Sequence, residues 1–299
     1  MSTEKSIDAA PAVVVPPAEQ MKLLLINFIK LSVLLTLGLG LLRWLMGIQF
    51  QLIKYDDWTW EVVYPIVISL FSVFFWLRRG LRKLNPGYTR YLALLVAVLT
   101  IAGVLHFSQY YLVRKTGRLT VVHKVGELDK LAPTRYYKLL DAFVLHDFYG
   151  MHTTASGISK NAAADWKLFA VMPLKNDSIT RRTATYWVGI VLQKDIRTDE
   201  LGNDLYWLKQ KVYPAMSALN VHNVQYFENS ASLPDAESYA SAVRSTEFMN
   251  EYSKAVVMEP RMTAFEDRTG NSLLLLFVVF ACGTLLFGLL LLIFKKKIS

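Results

Sequence analysis

Three titratable side chains sit inside stretches otherwise suited to hydrocarbon: Arg43, Glu61 and His106. Arg43 lies seven residues short of Phe50 and His106 seven short of Val113, while Glu61 stands just inside the start of another apolar run. A helix rises about 1.5 Å per residue, so all three fall at a similar depth, in the outer third of a bilayer, on three different helices. A cation buried in lipid is costly and faces a partner or water. Arg43 also shares a helical face with the small residue Gly40, the side that looks into a bundle. The spacing therefore predicts that Arg43 pairs with Glu61, with His106 close by, as a structural clamp rather than a proton relay. The alternative is that each side chain snorkels separately to the headgroups.

Outside these runs, the residue types that do chemistry do not assemble into a motif. His123, His146, His152 and His222 lack the short-turn or His-Glu-x-x-His spacing that closes three or four ligands on a zinc ion. The text Thr153–Ser159 is rich in hydroxyls but lacks the GxSxG spacing that strains a serine onto an exposed elbow, and it reads as a polar loop. Ser69 and Ser72 have no flanking glycine motif to suit an intramembrane protease, and Gly189 and Gly202 stand alone where a phosphate cradle would need several glycines. No catalytic residue, cofactor or metal is assigned. Aromatic residues are frequent between Tyr136 and Tyr213; most fall on strand or helix positions, and a few are expected to form a contact surface.

Composition explains where these residues must sit. The chain is 53% hydrophobic and 19% charged, more apolar and less charged than a soluble globular protein. Four apolar runs account for the excess, near 23–50, 58–77, 91–113 and 273–294, each close to the roughly 20 residues that cross a hydrocarbon core. Small residues recur on one face of each: Ser32, Thr36 and Gly40; Pro65, Ser69 and Ser72; Ala93, Ala97, Thr100 and Gly103; Thr284 and Gly288. Such faces let helices approach closely, so a bundle is expected, with a homo-oligomer through the spans as an extension. The first run is long and Leu41-Leu42-Arg43-Trp44 follows in place of a cleavage site, which reads as an uncleaved signal anchor.

Orientation follows from basic residues in short loops. Arg78, Arg79, Arg82, Lys83 and Arg90 crowd the loop 78–90, and Lys295, Lys296 and Lys297 begin the last tail. With four spans both termini share a side, so the termini and that loop are expected in the cytoplasm, where the same cations could contact anionic lipid. Residues 1–20, with an Ala/Val/Pro segment, read as a disordered tail. Trp58 and Trp60 then fall at the outer interface. Residues 114–271 become an extracytoplasmic domain, and its own 20 Lys and Arg against 18 Asp and Glu leave a net of only +2 out of the chain's +9. Arg114, Lys115 and Arg118 pull the other way, but a long domain translocates largely regardless of its charge. Nucleic-acid binding is not expected, since the basic excess lies beside the spans and not on a folded face. The single cysteine, Cys282, permits neither an intramolecular disulfide nor a cysteine zinc site.

The domain reads as α+β. Leu119–Val122, Tyr136–Leu145, Leu168–Met172 closed by Pro173, Tyr186–Leu192, Val221–Phe227 and Ala255–Met258 have strand character, with Phe148-Tyr149-Gly150 as a hairpin bend. Thr198, followed by Asp199 and Glu200, caps a helix carrying Leu201, Leu205, Leu208 and Val212, which Pro214 must kink or end. Pro234 opens a second helix through about Met249. The expected whole is a membrane α-helical protein of four spans with one α+β domain inserted between spans 3 and 4. Its expected role is non-enzymatic: an inner-membrane protein that presents this domain for protein-partner binding, assembly or ligand sensing. The alternatives are a subunit of a transport or channel assembly and a membrane-anchored envelope hydrolase.

Overall fold

The computed structural model describes residues 16–49, 57–84, 89–156, 164–176, 184–196, 201–232, 235–246 and 255–296. It divides into two compact units. One holds the apolar helices and the other holds a mixed sheet spanning Leu112–Gly270, together with Asp57 and Trp58 from the stretch ahead of the second apolar run.

The helical unit contains α1 (Pro17–Arg43), α2 (Tyr64–Ser72), α3 (Arg78–Leu84), α4 (Thr89–Thr116) and α7 (Ser272–Lys296). Wider π-helical turns extend the helical path at Trp44–Gln49, Thr59–Val63 and Val73–Leu77. Four stretches are long and apolar enough to cross a membrane: Ala18–Met46, Thr59–Arg82, Arg90–Thr116 and Phe265–Ile293. Leucines and phenylalanines such as Leu37, Phe75, Leu99 and Leu285 are exposed, while a narrower set including Phe28, Leu77, Ala97, Ile101 and Phe287 is buried. Exposed Leu and Phe suit helices that turn large side chains outward to lipid, while the buried seam mixes large side chains, as in the Phe28–Phe287 stack, with small ones such as Ala93 and Ala97. Thr100 meets Gly283 so closely that a Cβ there would lie 2.2 Å from its side chain, and Gly103 meets Val279. On α1 the small-residue face is used unevenly: Ser32 is buried, but nothing lies within 4 Å of a Cβ built on Gly40.

The sheet unit contains β1 (Leu119–Lys124), β2 (Tyr136–Asp141), β3 (Phe143–Val144), β4 (Gly150–Ser156), β5 (Ala164–Lys175), β6 (Tyr186–Ile196), β7 (Tyr226–Asn229) and β8 (Val256–Arg261). The order is β1-β2-β7-β8-β6-β5-β3, with β4 also on β5. β1 and β2 run parallel, as do β6 and β8, and the other pairs are antiparallel. Helix α5 (Leu201–Ser217) covers one face and α6 (Ala236–Arg244) the other. Period-two alternation assigns the faces. Leu168, Ala170 and Met172 of β5 join Val212 and Met216 of α5, while Phe169 and Val171 join Tyr239 and Val243 of α6. Both faces of β5 are buried, which is why its sequence is a continuous apolar run.

Several sequence expectations change. Pro173 does not close its strand, because it falls where the neighbour of β5 switches from β4, ending at Val171, to β3, starting at Leu174. A proline is tolerated where the ladder is already interrupted. Thr153–Ser156 is strand β4 rather than a loop; pairing from Thr153↔Leu168 to Ser156↔Asp165 outweighs its polar composition. Val221–Asn223 is a 3-10 turn, and the strand starts only at Tyr226. Pro214 lies within α5, which continues to Ser217. Part of the basic loop is helical, as α3, and α1 begins at Pro17, inside the stretch read as a tail. Trp60 is packed inside the protein, whereas Trp58 is exposed. Residues 1–15 and 85–88, Gly157, Thr198, Asp199, Glu200, Pro234 and Met249 lie outside the described residues.

Candidate functional site

Within the helical unit, Arg43 at the end of α1 reaches Glu61, its Nη2 lying 3.7 Å from Oε1, and its guanidinium carbon is 5.7 Å from the ring centre of Trp60. His106 of α4 places Nδ1 2.6 Å from the main-chain oxygen of Glu61. The three residues named from the sequence therefore meet around one residue, Glu61. His106 reaches its backbone rather than its carboxylate. One turn further along α4, Gln109 is fully buried and its amide makes no hydrogen bond. Among the basic residues, Arg78, Arg79 and Arg82 are exposed and Arg90 is half-buried, with Arg78 over the Phe74 ring and Arg90 over Tyr91. Lys295 and Lys296 close α7, and Lys297 lies outside the described residues.

The sheet unit holds a more tightly bonded polar constellation that sequence reasoning missed. Glu228 of β7 and Glu259 of β8 are direct partners in the antiparallel ladder, so two carboxylates stand side by side. They are only 3% and 8% exposed. Arg261 bridges them: Nη2 lies 2.8 Å from Glu228 Oε2 and 2.7 Å from Glu259 Oε2. Arg135, just ahead of β2, donates to Glu228 Oε1 at 3.0 Å from Nε and to Asp57 Oδ2 at 2.6 Å from Nη1. From α6, the Tyr239 hydroxyl donates to Glu259 Oε1 at 2.7 Å. An unbroken chain of charged hydrogen bonds thus runs from α6 across β8, β7 and the start of β2 to Asp57.

The two carboxylates respond oppositely. Burial raises the pKa of both, but for Glu228 the guanidiniums of Arg135 and Arg261 outweigh it and the net shift is downward. For Glu259 burial prevails over the Tyr239 hydrogen bond and Arg261, and the net shift is upward. Burial opposes the charge on Arg135 and Arg261, yet their carboxylate partners more than restore it and both are raised. Burial and the neighbouring Glu259 raise Tyr239 as well. Tyr136, packed edge-on against Tyr226 and Phe265, is pushed up to about 12 by burial.

A second feature is aromatic. Tyr149, after the turn that follows β3, meets Tyr213 of α5 edge-on at 6.5 Å between ring centres. Tyr206 lies seven residues before Tyr213, two turns earlier on the same face of α5. Tyr149, Tyr206 and Tyr213 are 39%, 64% and 59% exposed, and Phe148 joins them at the surface. The histidines do not gather: His123 lies on β1 and His152 on β4, at opposite edges of the sheet. Among the described residues no three of His, Cys, Asp or Glu group to hold a metal ion.

No family model matches the chain, and no curated protein or solved structure is similar enough to count as a match.

Proposed function

We propose that this chain is a four-span inner-membrane protein, both termini cytoplasmic, that presents its 114–271 domain outside the cytoplasm to bind a protein partner. The membrane placement draws support from four helices of spanning length with outward-facing Leu and Phe. The orientation draws support from Arg78, Arg79, Arg82, Lys83 and Arg90 and from Lys295–Lys297. The observation that carries the binding role is the exposed tyrosine face of Tyr149, Tyr206 and Tyr213. Tyrosine supplies large contact area with few rotatable bonds, and such residues dominate interface energy.

The test is purification of the full chain in gentle detergent, with its co-purifying proteins quantified against the double variant Tyr206→Ala/Tyr213→Ala. The partner should fall at least about tenfold, as expected when a hot-spot pair worth more than about 1.4 kcal/mol is lost, with the melting temperature unchanged. Undiminished recovery of the partner rejects this face as the binding surface. A second reading, a subunit of a transport assembly, is favoured by the buried Arg43 and Gln109 and the largely buried Glu61 inside the helical unit. Loss of solute flux in Gln109→Leu, with the partner still bound, would favour it over the first.

A further inference from the structure

Two arginines at one end of the helical unit stack on exposed aromatic rings. Arg78 opens α3, and its guanidinium lies over the ring of Phe74, 4.2 Å from the centre, in the π-helical turn just before it. Arg90, at the start of α4, lies 4.6 Å from the ring centre of Tyr91, and its Nη2 donates to the Tyr91 hydroxyl at 2.7 Å. The charge of Arg78 also acts on Tyr91 from the neighbouring helix. Leu77, Leu81 and Ala93 belong to one buried cluster, which holds these two helix ends together. Two guanidiniums thus share one exposed aromatic flank. Like charges so placed repel, and an anion between them relieves the repulsion. The surrounding sequence brings none, since no Asp or Glu occurs from Val62 to Gly126. Among the described residues neither Arg78 nor Arg90 forms an ion pair. Stacking uses the flat face of a guanidinium and leaves N–H groups at its edge, the geometry that grips a phosphate with two parallel bonds.

We propose that Arg78 and Arg90 bind the phosphate of an anionic glycerophospholipid, whose acyl chains run along Phe71, Phe74 and Phe75. These three rings are exposed, and Phe75 stacks on Phe71 and meets Phe74 edge-on. Phe71 precedes Arg78 by seven residues, so it stands about 10 Å further along the helix, at the depth of an acyl chain when the arginine is level with the headgroup. A zwitterionic lipid offers the same phosphate but adds an ammonium that two guanidiniums repel, which favours a headgroup without an amine. Arg79 is exposed as well, but among the described residues it lies over no aromatic ring. The inference rests on the reading of these helices as membrane spans, and requires neither the tyrosine face nor the orientation.

The test uses the full chain and reads the membrane placement first, by flotation with vesicles mixing phosphatidylglycerol and phosphatidylcholine. A chain that stays with the soluble fraction overturns the spans and the site together. For a chain that floats, native mass spectrometry in detergent counts bound lipid at stepwise concentrations. Phosphatidylglycerol should bind at least about tenfold more tightly than phosphatidylcholine, and Arg78→Gln and Arg90→Gln should each lose about tenfold, as one charge-assisted contact is removed. Arg78→Lys, the milder change, keeps the charge but not the planar fork and should still bind more weakly than the wild type. Arg79→Gln removes the same charge from the same helix and should bind as the wild type does. Excess inorganic phosphate should not displace the lipid, because it has no chain to lay on the phenylalanines. Equal binding of the two lipids, unchanged binding in Arg78→Lys, or an equal loss in Arg79→Gln would leave only diffuse attraction and overturn the site. Displacement by inorganic phosphate would make it a plain anion site and overturn the lipid.

Discussion

Glu228 and Glu259 are the same residue type one hydrogen-bonded step apart, yet the chain around them gives them opposite roles. Replacing Glu228 with Gln removes the counter-ion that Arg135 and Arg261 share, leaving Asp57 for the first and Glu259 for the second, and should cost about 1–3 kcal/mol. Replacing Glu259 with Gln mimics its protonated form and should change stability at neutral pH by less than about 1 kcal/mol, in the stabilising direction. Chemical denaturation of the two variants beside the wild type checks both. The pH dependence follows from the shifts. Glu259 has a folded pKa above its unfolded one, so its contribution is complete below the unfolded value and is lost as pH rises through the folded value. Glu228 is lowered, so its contribution is present above the unfolded value and is lost as pH falls through the folded one. Stability should therefore decline at both ends, with the alkaline arm absent in Glu259→Gln. Little of this was legible in the sequence, because Arg135 and Glu228 are 93 residues apart and only strand pairing joins them. The available signal was a glutamate in the middle of an apolar strand, in Tyr-Phe-Glu-Asn and again in Val-Val-Met-Glu-Pro. Arg43, Glu61 and His106 were easier to name, since a charge in a span stands out by composition alone.

At the level of elements, close approach decides more than propensity. β4 begins at Gly150, where an added Cβ would lie 2.0 Å from the Ala242 carbonyl of α6, and Ser245 accepts the Met151 amide at 2.9 Å. Gly150→Ala should push α6 off the sheet and cost about 1–3 kcal/mol by overpacking, read as a lower melting temperature. In the helical unit, Gly283→Val should disrupt the α4–α7 contact at Thr100, whereas Gly38→Val, with open space around it, should be tolerated. Thermal unfolding in detergent separates the two. Arg268 ties a helix end instead, its guanidinium donating to the carbonyls of Arg114, Lys115 and Phe265, two of which belong to the last turn of α4. A helix end leaves such carbonyls without intrahelical partners. Arg268→Lys should not substitute for Arg, because one ammonium cannot reproduce the planar fork; both Lys and Ala variants should expose the α4 end to faster hydrogen exchange. The buried strands β5 and β6 were readable from continuous apolar runs. β4 was not, since its hydroxyl-rich text describes a loop until β5 is laid beside it.

For the molecule as a whole, charge carries the proposed orientation and hydropathy the reading of four spans. Four apolar runs in the sequence correspond to four helices long and apolar enough to cross a membrane, and a separate sheet region exists beside them in the chain. Sequence could not tell that Asp57, far from the sheet in the chain, is drawn into that unit, because a single ion pair leaves no trace in composition. The orientation rests on a different physical basis: translocating a short basic loop against the membrane potential is unfavourable, so loops rich in Arg and Lys stay behind. The exposed Arg78, Arg79 and Arg82 should therefore be cytoplasmic, and the exposed face of α5 should lie on the other side. Cys282 is the only thiol, so a Cys282→Ser background makes the chain silent to thiol reagents. In that background Lys211→Cys should react with a membrane-impermeant maleimide in intact cells, and Arg82→Cys only after the membrane is permeabilised. The reverse pattern would invert the orientation, and labelling of both positions in intact cells would place them on one side and break the odd number of crossings that the four-span reading requires between residues 82 and 211.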